Sequence, residues 1–364
     1  MSAKLGGAGQ GRRAMADEII ARAEGAVGRI SLNRPGALHA LNTAMCAAIT
    51  QALLAWREDP AIALVLIDHT GERGFCAGGD LRMMAASGAG DGAEARRFFL
   101  TEYRMNAFLM AYPKPVCVIM DGVVMGGGAG IALPCRYRVA SERTRFAMPE
   151  TGIGLFPDVG GGWHLPRLPG ETGMWLALTG ARIGPADCLA LGVATHHAPG
   201  EGLDALKAAI IGDPLAIEAH LARFGADPGA APLAAHRACI DAAFGRGSVE
   251  AILHALSDDG SAFAVDQQAE LMRKSPQALM AAHLQLTLGR GLATFEDEMA
   301  LEYRIAARVV QSHDFIEGVR AVIIDKDQAP AWSPTNLAGV SDAMLDAIFA
   351  PLPPGEEWTP WPAA

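Results

Sequence analysis

No stretch of the chain approaches the roughly 18 consecutive apolar residues of a membrane-spanning helix, although its mean hydropathy is positive. The six cysteines (Cys46, Cys76, Cys117, Cys135, Cys188 and Cys239) stand singly with no Cys-x-x-Cys pair. That pattern argues against a disulfide framework or a zinc site, and fits free thiols in a reducing, cytoplasmic setting. Basic residues are too few for a general nucleic-acid binder: 30 Lys and Arg face 40 Asp and Glu, a formal charge of −10. A local basic patch for a small anion remains compatible with that balance. The Gly-rich, Arg-containing start lacks the apolar segment of a secretory signal. Residues 1–16 therefore read as a flexible leader. Known catalytic patterns are missing too. There is no Gly-x-Ser-x-Gly elbow, no His-Glu-x-x-His, no P-loop and no dinucleotide fingerprint. The adjacent pair His196-His197 is a poor metal geometry on one element.

The 42 glycines and 22 prolines follow no period, so they punctuate a globular chain. With 51% hydrophobic residues, its 364 residues can bury one large core or two smaller ones. Glu18–Ala23 and Val27–Leu32 flank Glu24-Gly25-Ala26 and read as a hairpin. A helix is expected over Thr43–Arg57 with Asn42 as its cap, and another over Ala93–Met110, ending before Pro113. Ile62–Asp68 and Val116–Met120 are apolar, β-branched runs, hence buried strands. Strand pairs alternating with helices predict an α/β fold. Beyond Thr179 the sequence turns helical and Ala-rich, and Ser275-Pro276 opens a further helix with Pro at its first position. The expected organisation is a leader at 1–16, an α/β core at 17–212 and a helical region at 213–364.

Two glycine runs each follow a predicted buried strand: Phe75-Cys76-Ala77-Gly78-Gly79-Asp80 and Met125-Gly126-Gly127-Gly128-Ala129-Gly130. Glycine lets a ligand approach the backbone. The second run leads into a helix from about Ala129, whose free N–H groups suit an oxygen that gains charge. Either run alone is equally a tight turn; two after neighbouring strands point to a shared anion site. Between Phe146 and Pro166 the only acids are Glu150 and Asp158, with no Lys or Arg. Burial in such a loop raises a carboxyl toward acid–base use. The plainer reading has one acid capping a helix and the other holding a turn. Glu102 shares an i, i+4 row with Phe98, Asn106 and Met110. It is either an interior acid or an edge residue reaching water. Cys76 is a candidate nucleophile for which no histidine partner can be named.

At these residues the chain resembles the crotonase, or enoyl-CoA hydratase/isomerase, superfamily, over roughly Glu18 to Trp332. Beside the glycine runs, the resemblance rests on Ala147-Met148-Pro149-Glu150-Thr151-Gly152-Ile153-Gly154-Leu155-Phe156-Pro157-Asp158-Val159-Gly160-Gly161-Gly162 and on His313-Asp314-Phe315-Ile316-Glu317-Gly318-Val319-Arg320-Ala321. Those two pieces are typical of the branch that hydrolyses 3-hydroxyisobutyryl-CoA and close 3-hydroxyacyl-CoA thioesters in valine breakdown. The resemblance implies a spiral of repeated ββα units with a helical C-terminal region, including extra sequence at about 214–274. It also implies an oxyanion hole from Gly79 and Gly127, catalytic roles for Glu150 and Asp158, Glu102 lining the acyl pocket and Arg82 near the CoA phosphates. No metal or redox cofactor is implied, CoA entering as part of the substrate, and neither nucleic acid nor membrane is an expected partner. The superfamily implies a homo-oligomer, trimer or hexamer. Hydratases carry a second glutamate where this chain has Gly130, and a glycine where it has Asp158. Two other readings stay open: an enoyl-CoA isomerase or hydratase working with one glutamate, and a non-catalytic CoA-binding protein.

Overall fold

The computed structural model describes residues 18–361, so the expected leader at 1–16 lies outside the described residues. β1 (Ile19–Glu24) and β2 (Val27–Leu32) form the expected hairpin, Ile19 facing Leu32 and Glu24 facing Val27. Gly25 makes the tight reversal at φ +61°, a region that costs glycine nothing. After β2 the strands run parallel: β3 (Leu64–His69), β4 (Val116–Met120), β5 (Val123–Met125), β6 (Tyr137–Ala140), β7 (Arg145–Ala147) and β8 (His196–His197). The large sheet has the order β1-β2-β3-β4-β6-β8, and β5 pairs with β7 in a small one.

The expected ββα repeat is visible in that split. Each turn of the chain gives a first strand to the large sheet and a second extended piece to the small layer, then enters a helix. The helices that close the turns are Thr43–Arg57, Leu81–Gly88, Gly127–Ala132 and Gly161–His164. The small layer stacks the turns through parallel bridges, Leu41 with Gly79 and Cys76 with Val124, before β5 meets β7. Consecutive glycine-run loops are thereby laid side by side.

Strand periodicity divides the apolar residues between two faces. Val65 and Ile67 of β3 enter the main core with Ile30, Val118 and Met120. Leu64 and Leu66 point the other way, toward Cys117, Ile119 and Val139, and are covered by Leu203, Leu206, Ile210, Ile217 and Leu221. The outer cover thus draws on the helices Leu203–Gly212 and Ile217–Phe224 together. Among the described residues no strand follows His197; the elements beyond it are helices, and Ser275 caps the Pro276–Gly289 helix as its sequence predicts.

Two helices match their predicted ends. Ala93–Met110 buries Phe98, Phe99, Glu102, Tyr103 and Asn106 against its neighbours, among them the Phe295–Val309 helix. Thr43–Arg57 starts where Asn42 accepts a hydrogen bond from Met45 N at 2.9 Å. The same Asn42 amide donates to Glu18 at 2.7 Å, tying the helix start to the sheet edge. Asn42→Ala should lower unfolding stability by about 1 kcal/mol. Urea titration checks this, and an unchanged midpoint would contradict the capping role.

Candidate active site

The two glycine runs meet. Cys76 N donates to Val123 O at 2.9 Å and Met125 N donates to Cys76 O at 3.0 Å, so the first run lies alongside β5. A Cβ built on Gly127 would stand 3.4 Å from the Gly78 carbonyl carbon. The helix begins at Gly127, two residues before the expected Ala129, so the Gly127 amide is its first. Among the described residues neither the Gly79 nor the Gly127 amide donates to another group. Both border a cavity of about 60 Å³ that Glu102, Glu150 and Asp158 also line.

Three elements bring in the acids. Glu150 opens a short 3₁₀ turn, Glu150–Ile153, fixed by Thr151 Oγ1 donating to Leu178 O at 3.0 Å. The His313–Val319 helix braces that turn from behind. Cβ atoms on Gly154 and Gly318 would fall 2.3 Å and 2.5 Å from the Asp314 and Ile153 backbones. The distal sequence piece therefore buttresses Glu150. Glu102 projects from the middle of the Ala93–Met110 helix and is buried, so it is not an edge residue reaching water. Asp158 follows Pro157 and accepts a hydrogen bond from Tyr103 Oη at 2.9 Å.

The glycines make room for these carboxylates. A Cβ on Gly127 would lie 2.5 Å from Glu102 Oε1, and one on Gly126 would lie 3.2 Å from Glu150 Oε1. The acids crowd the paired amides from two sides. Burial holds Glu150 and Glu102 well above the usual carboxylate range, and the charge of Asp158 pushes both further. Burial also pushes Asp158 up to about 7, against the downward pull of the Tyr103 hydrogen bond. Acids sharing a poorly hydrated pocket do not ionise together, so such a cluster offers a base and an acid near neutral pH.

At Gly130, the position where hydratases carry their second glutamate, a Cβ would fall 2.6 Å from Val159 Cβ and 2.8 Å from Asn106 Nδ2. The residue after Asp158 thus occupies the space that a side chain at 130 would need. Cys76 is not a nucleophile in waiting: it is buried, its Sγ donates to the His39 carbonyl at 3.2 Å, and burial pushes the thiol up to about 12. Arg82 lies outside the cavity, exposed, and donates to Ile323 O at 2.7 Å. Among the described residues no cluster of His, Cys, Asp and Glu could hold a metal ion.

Sequence reading missed Tyr103 as the partner of Asp158, although it stands one residue after Glu102 on the same buried face. It also missed Glu298 and Glu302, acids at i, i+4 in an otherwise apolar stripe with Phe295, Met299 and Val309. The signal that singled out Glu102 was present there as well.

The sequence pattern described as enoyl-CoA hydratase/isomerase matches residues 27–349. The chain is 40% identical to 3-hydroxyisobutyryl-CoA hydrolase, mitochondrial, of Danio rerio, over 92% of this chain and 90% of that protein. It is 38% identical to the Homo sapiens enzyme of that name, over 93% and 89% respectively. The crystal structure of a carnitinyl-CoA dehydratase from Mycobacterium thermoresistibile superposes with a TM-score of 0.90 at 40% identity, covering 94% of this chain and 98% of that one. The cytoplasmic location expected from the cysteines is overturned by these comparisons, since both hydrolase relatives are mitochondrial by name. Unpaired thiols report a reducing environment, which is not a single address.

The raised carboxyls fix the sign of a pH effect. An aspartate titrates near 3.9 when unfolded, whereas Asp158 in the fold titrates at about 7. The stability that its protonated form contributes is complete below the unfolded value and is lost as pH rises through the folded one. Asp158→Asn should therefore raise the thermal midpoint over that of the parent more at about pH 8 than at about pH 4. Equal gains at both pH values would contradict the raised carboxyl.

Proposed function

The chain belongs to the enoyl-CoA hydratase/isomerase family, the crotonase superfamily, and from that premise we propose that it hydrolyses 3-hydroxyisobutyryl-CoA, or a close 3-hydroxyacyl-CoA, to the free acid and CoA in valine breakdown. The observation that carries the reading is the juxtaposition of two unengaged amides, Gly79 and Gly127, with the buried carboxylates of Glu150 and Asp158. A thioester oxygen held between those amides gains negative charge when its carbon is attacked. Each fixed donor to that charge typically lowers the barrier by about 3–4 kcal/mol.

Glu150 is the acid assigned to the attack. By one route its carboxylate takes a proton from water, the hydroxide bonds to the acyl carbon, and the carbon–sulfur bond breaks. By the other it bonds to the acyl carbon itself, CoA leaves as thiolate, and water then opens the anhydride. Asp158, held by Tyr103, repels a second charge on Glu150, so the pair keeps one proton, which goes to the departing sulfur. Glu102 closes the acyl end of the cavity. Water and the ester are the only reactants, and no metal or redox group enters the reaction. Arg82, exposed at the start of the Leu81–Gly88 helix, keeps its assignment to the CoA phosphates, and the trimer or hexamer implied by the resemblance belongs to the same proposal.

The dehydratase relative, by its name, favours addition or loss of water at a carbon–carbon double bond instead. Gly130 weighs against that chemistry here, because the place of a second glutamate is filled by Val159 and Asn106. A non-catalytic CoA binder would have no use for three buried acids around one cavity.

A thiol-release assay over a short panel of CoA esters tests the proposal. Turnover should be fastest with 3-hydroxyisobutyryl-CoA, and Glu150→Gln should abolish it while leaving CoA-ester binding intact; near-normal release by that variant would remove the assigned role. Gly130→Glu should lower the thermal midpoint and gain no hydratase activity, read as loss of enoyl absorbance. A gain of hydration would show that the position tolerates the second acid.

A further inference from the structure

Behind the Asp158 turn lies a second set of buried acids that the proposed reaction does not touch. Glu298 and Glu302 stand one helical turn apart on the Phe295–Val309 helix, both fully buried and neither lining the cavity. Glu302 spans two backbone amides of the turn. Its Oε2 accepts from Gly160 N at 2.9 Å and its Oε1 accepts from Gly162 N at 3.2 Å. Gln285, from the Pro276–Gly289 helix, donates to Glu302 Oε1 at 3.1 Å, to Glu298 Oε1 at 3.2 Å and to the Pro157 carbonyl at 2.9 Å. Asp158 is thus bracketed, by Pro157 before it and Gly160 after it, by groups tied to one buried cluster.

The turn needs such a restraint. Val159 is β-branched yet held at φ +54°, a backbone conformation that persists only when its surroundings impose it. Gly160 at φ +91° continues the reversal. Gly162 is what lets the acids come close, since a Cβ there would meet Glu298 Oε1 at 1.8 Å. Three N–H donors converge on Glu302, whereas Glu298 Oε2 has no partner among the described residues. Burial holds Glu302 well above the usual carboxylate range despite those donors, and pushes Glu298 up to about 7, so the pair keeps a proton near neutral pH. The charges acting on Glu302 are those of Glu298 on its own helix and Asp158 in the turn. From the Ala93–Met110 helix Tyr103 and Glu102 face Asp158, Arg167 acts on Glu298 from the protein edge, and His164 stays neutral because burial pushes it down to about 3.

We propose that Glu302 is a positioning residue for the hydrolysis: by accepting both the Gly160 and Gly162 amides it holds the Val159 turn in place, and so keeps Asp158 on Tyr103 and facing Glu150. The inference rests on the reading that Asp158 takes part in the reaction.

Glu302→Gln leaves one of the two amides facing an NH₂ group. It should lower kcat for thiol release roughly 10- to 100-fold, the scale of a small displacement of reacting groups, with KM little changed. The limb of the kcat–pH profile set by Asp158 should move to higher pH, because an Asp158 no longer held on Tyr103 loses the hydrogen bond that favours its ionised form; a loss of packing that left the turn in place would not move it. Glu302→Asp is too short to span both amides, so it should lose kcat and move the limb in the same direction. Should the Gln variant fail to fold, the kcat of the Asp variant decides. Parent-like kcat in whichever variant folds overturns the proposal, as does an unmoved limb in Glu302→Gln. Asp158→Asn, measured alongside, separates the two levels. If it turns over normally, the underlying reading of Asp158 fails; if it is dead while the Glu302 variants are fully active, only the present inference fails.

Discussion

One parallel bridge sets the rest of the molecule's chemistry: Cys76 beside Val124, closed by the Cys76–Val123 and Met125–Cys76 hydrogen bonds. It lays the loop that follows β3 against β5, so that the Gly78-Gly79 and Gly126-Gly127 turns end at the same level. Strand hydrogen bonding consumes the amides of Cys76 and Met125. Just past the strand ends, Gly79 and Gly127 are left with N–H groups that have no partner among the described residues, and both border one cavity. The proposed oxyanion hole lies where the pairing of two neighbouring strands of the spiral stops.

That arrangement makes the fold bury carboxyls it would otherwise keep in water. Glu102, Glu150 and Asp158 surround the cavity, and Glu298 and Glu302 lie behind it, none of the five in an ion pair with a cation among the described residues. Burial and mutual repulsion favour their protonated forms, which is destabilising as pH rises but matches acid–base work near neutrality. The neighbouring glycines are the steric counterpart. At 127, 130 and 162 a single methyl group would collide with Glu102, Val159 or Glu298. The backbone there is bare because side chains from elsewhere need the space.

Much of this is legible along the chain. Asn42 and the periodicity after it delimit the Thr43–Arg57 helix, and the apolar row with Glu102 delimits Ala93–Met110, both as found. These are short-range signals, a cap within three residues or a stripe within two turns. Sequence pattern places the start of the helix at Gly127 two residues late, because glycine has low helix propensity and only the packing of the turn imposes the conformation. The Leu81–Gly88 helix is hidden for a related reason, as it follows directly on a loop rich in glycine.

By itself the sequence determined the α/β alternation, the two glycine runs and the presence of isolated acids in apolar surroundings, since each is written within a few neighbouring residues. Only the tertiary structure decided which of those acids face one another. Tyr103 and Asp158 are 55 residues apart, and Glu302 and Gly160 are 142. No local pattern encodes such pairs. They exist because the spiral stacks its turns and the C-terminal helices close over them, and it is that closure, excluding water, which turns ordinary carboxylates into acids that keep their protons near neutral pH.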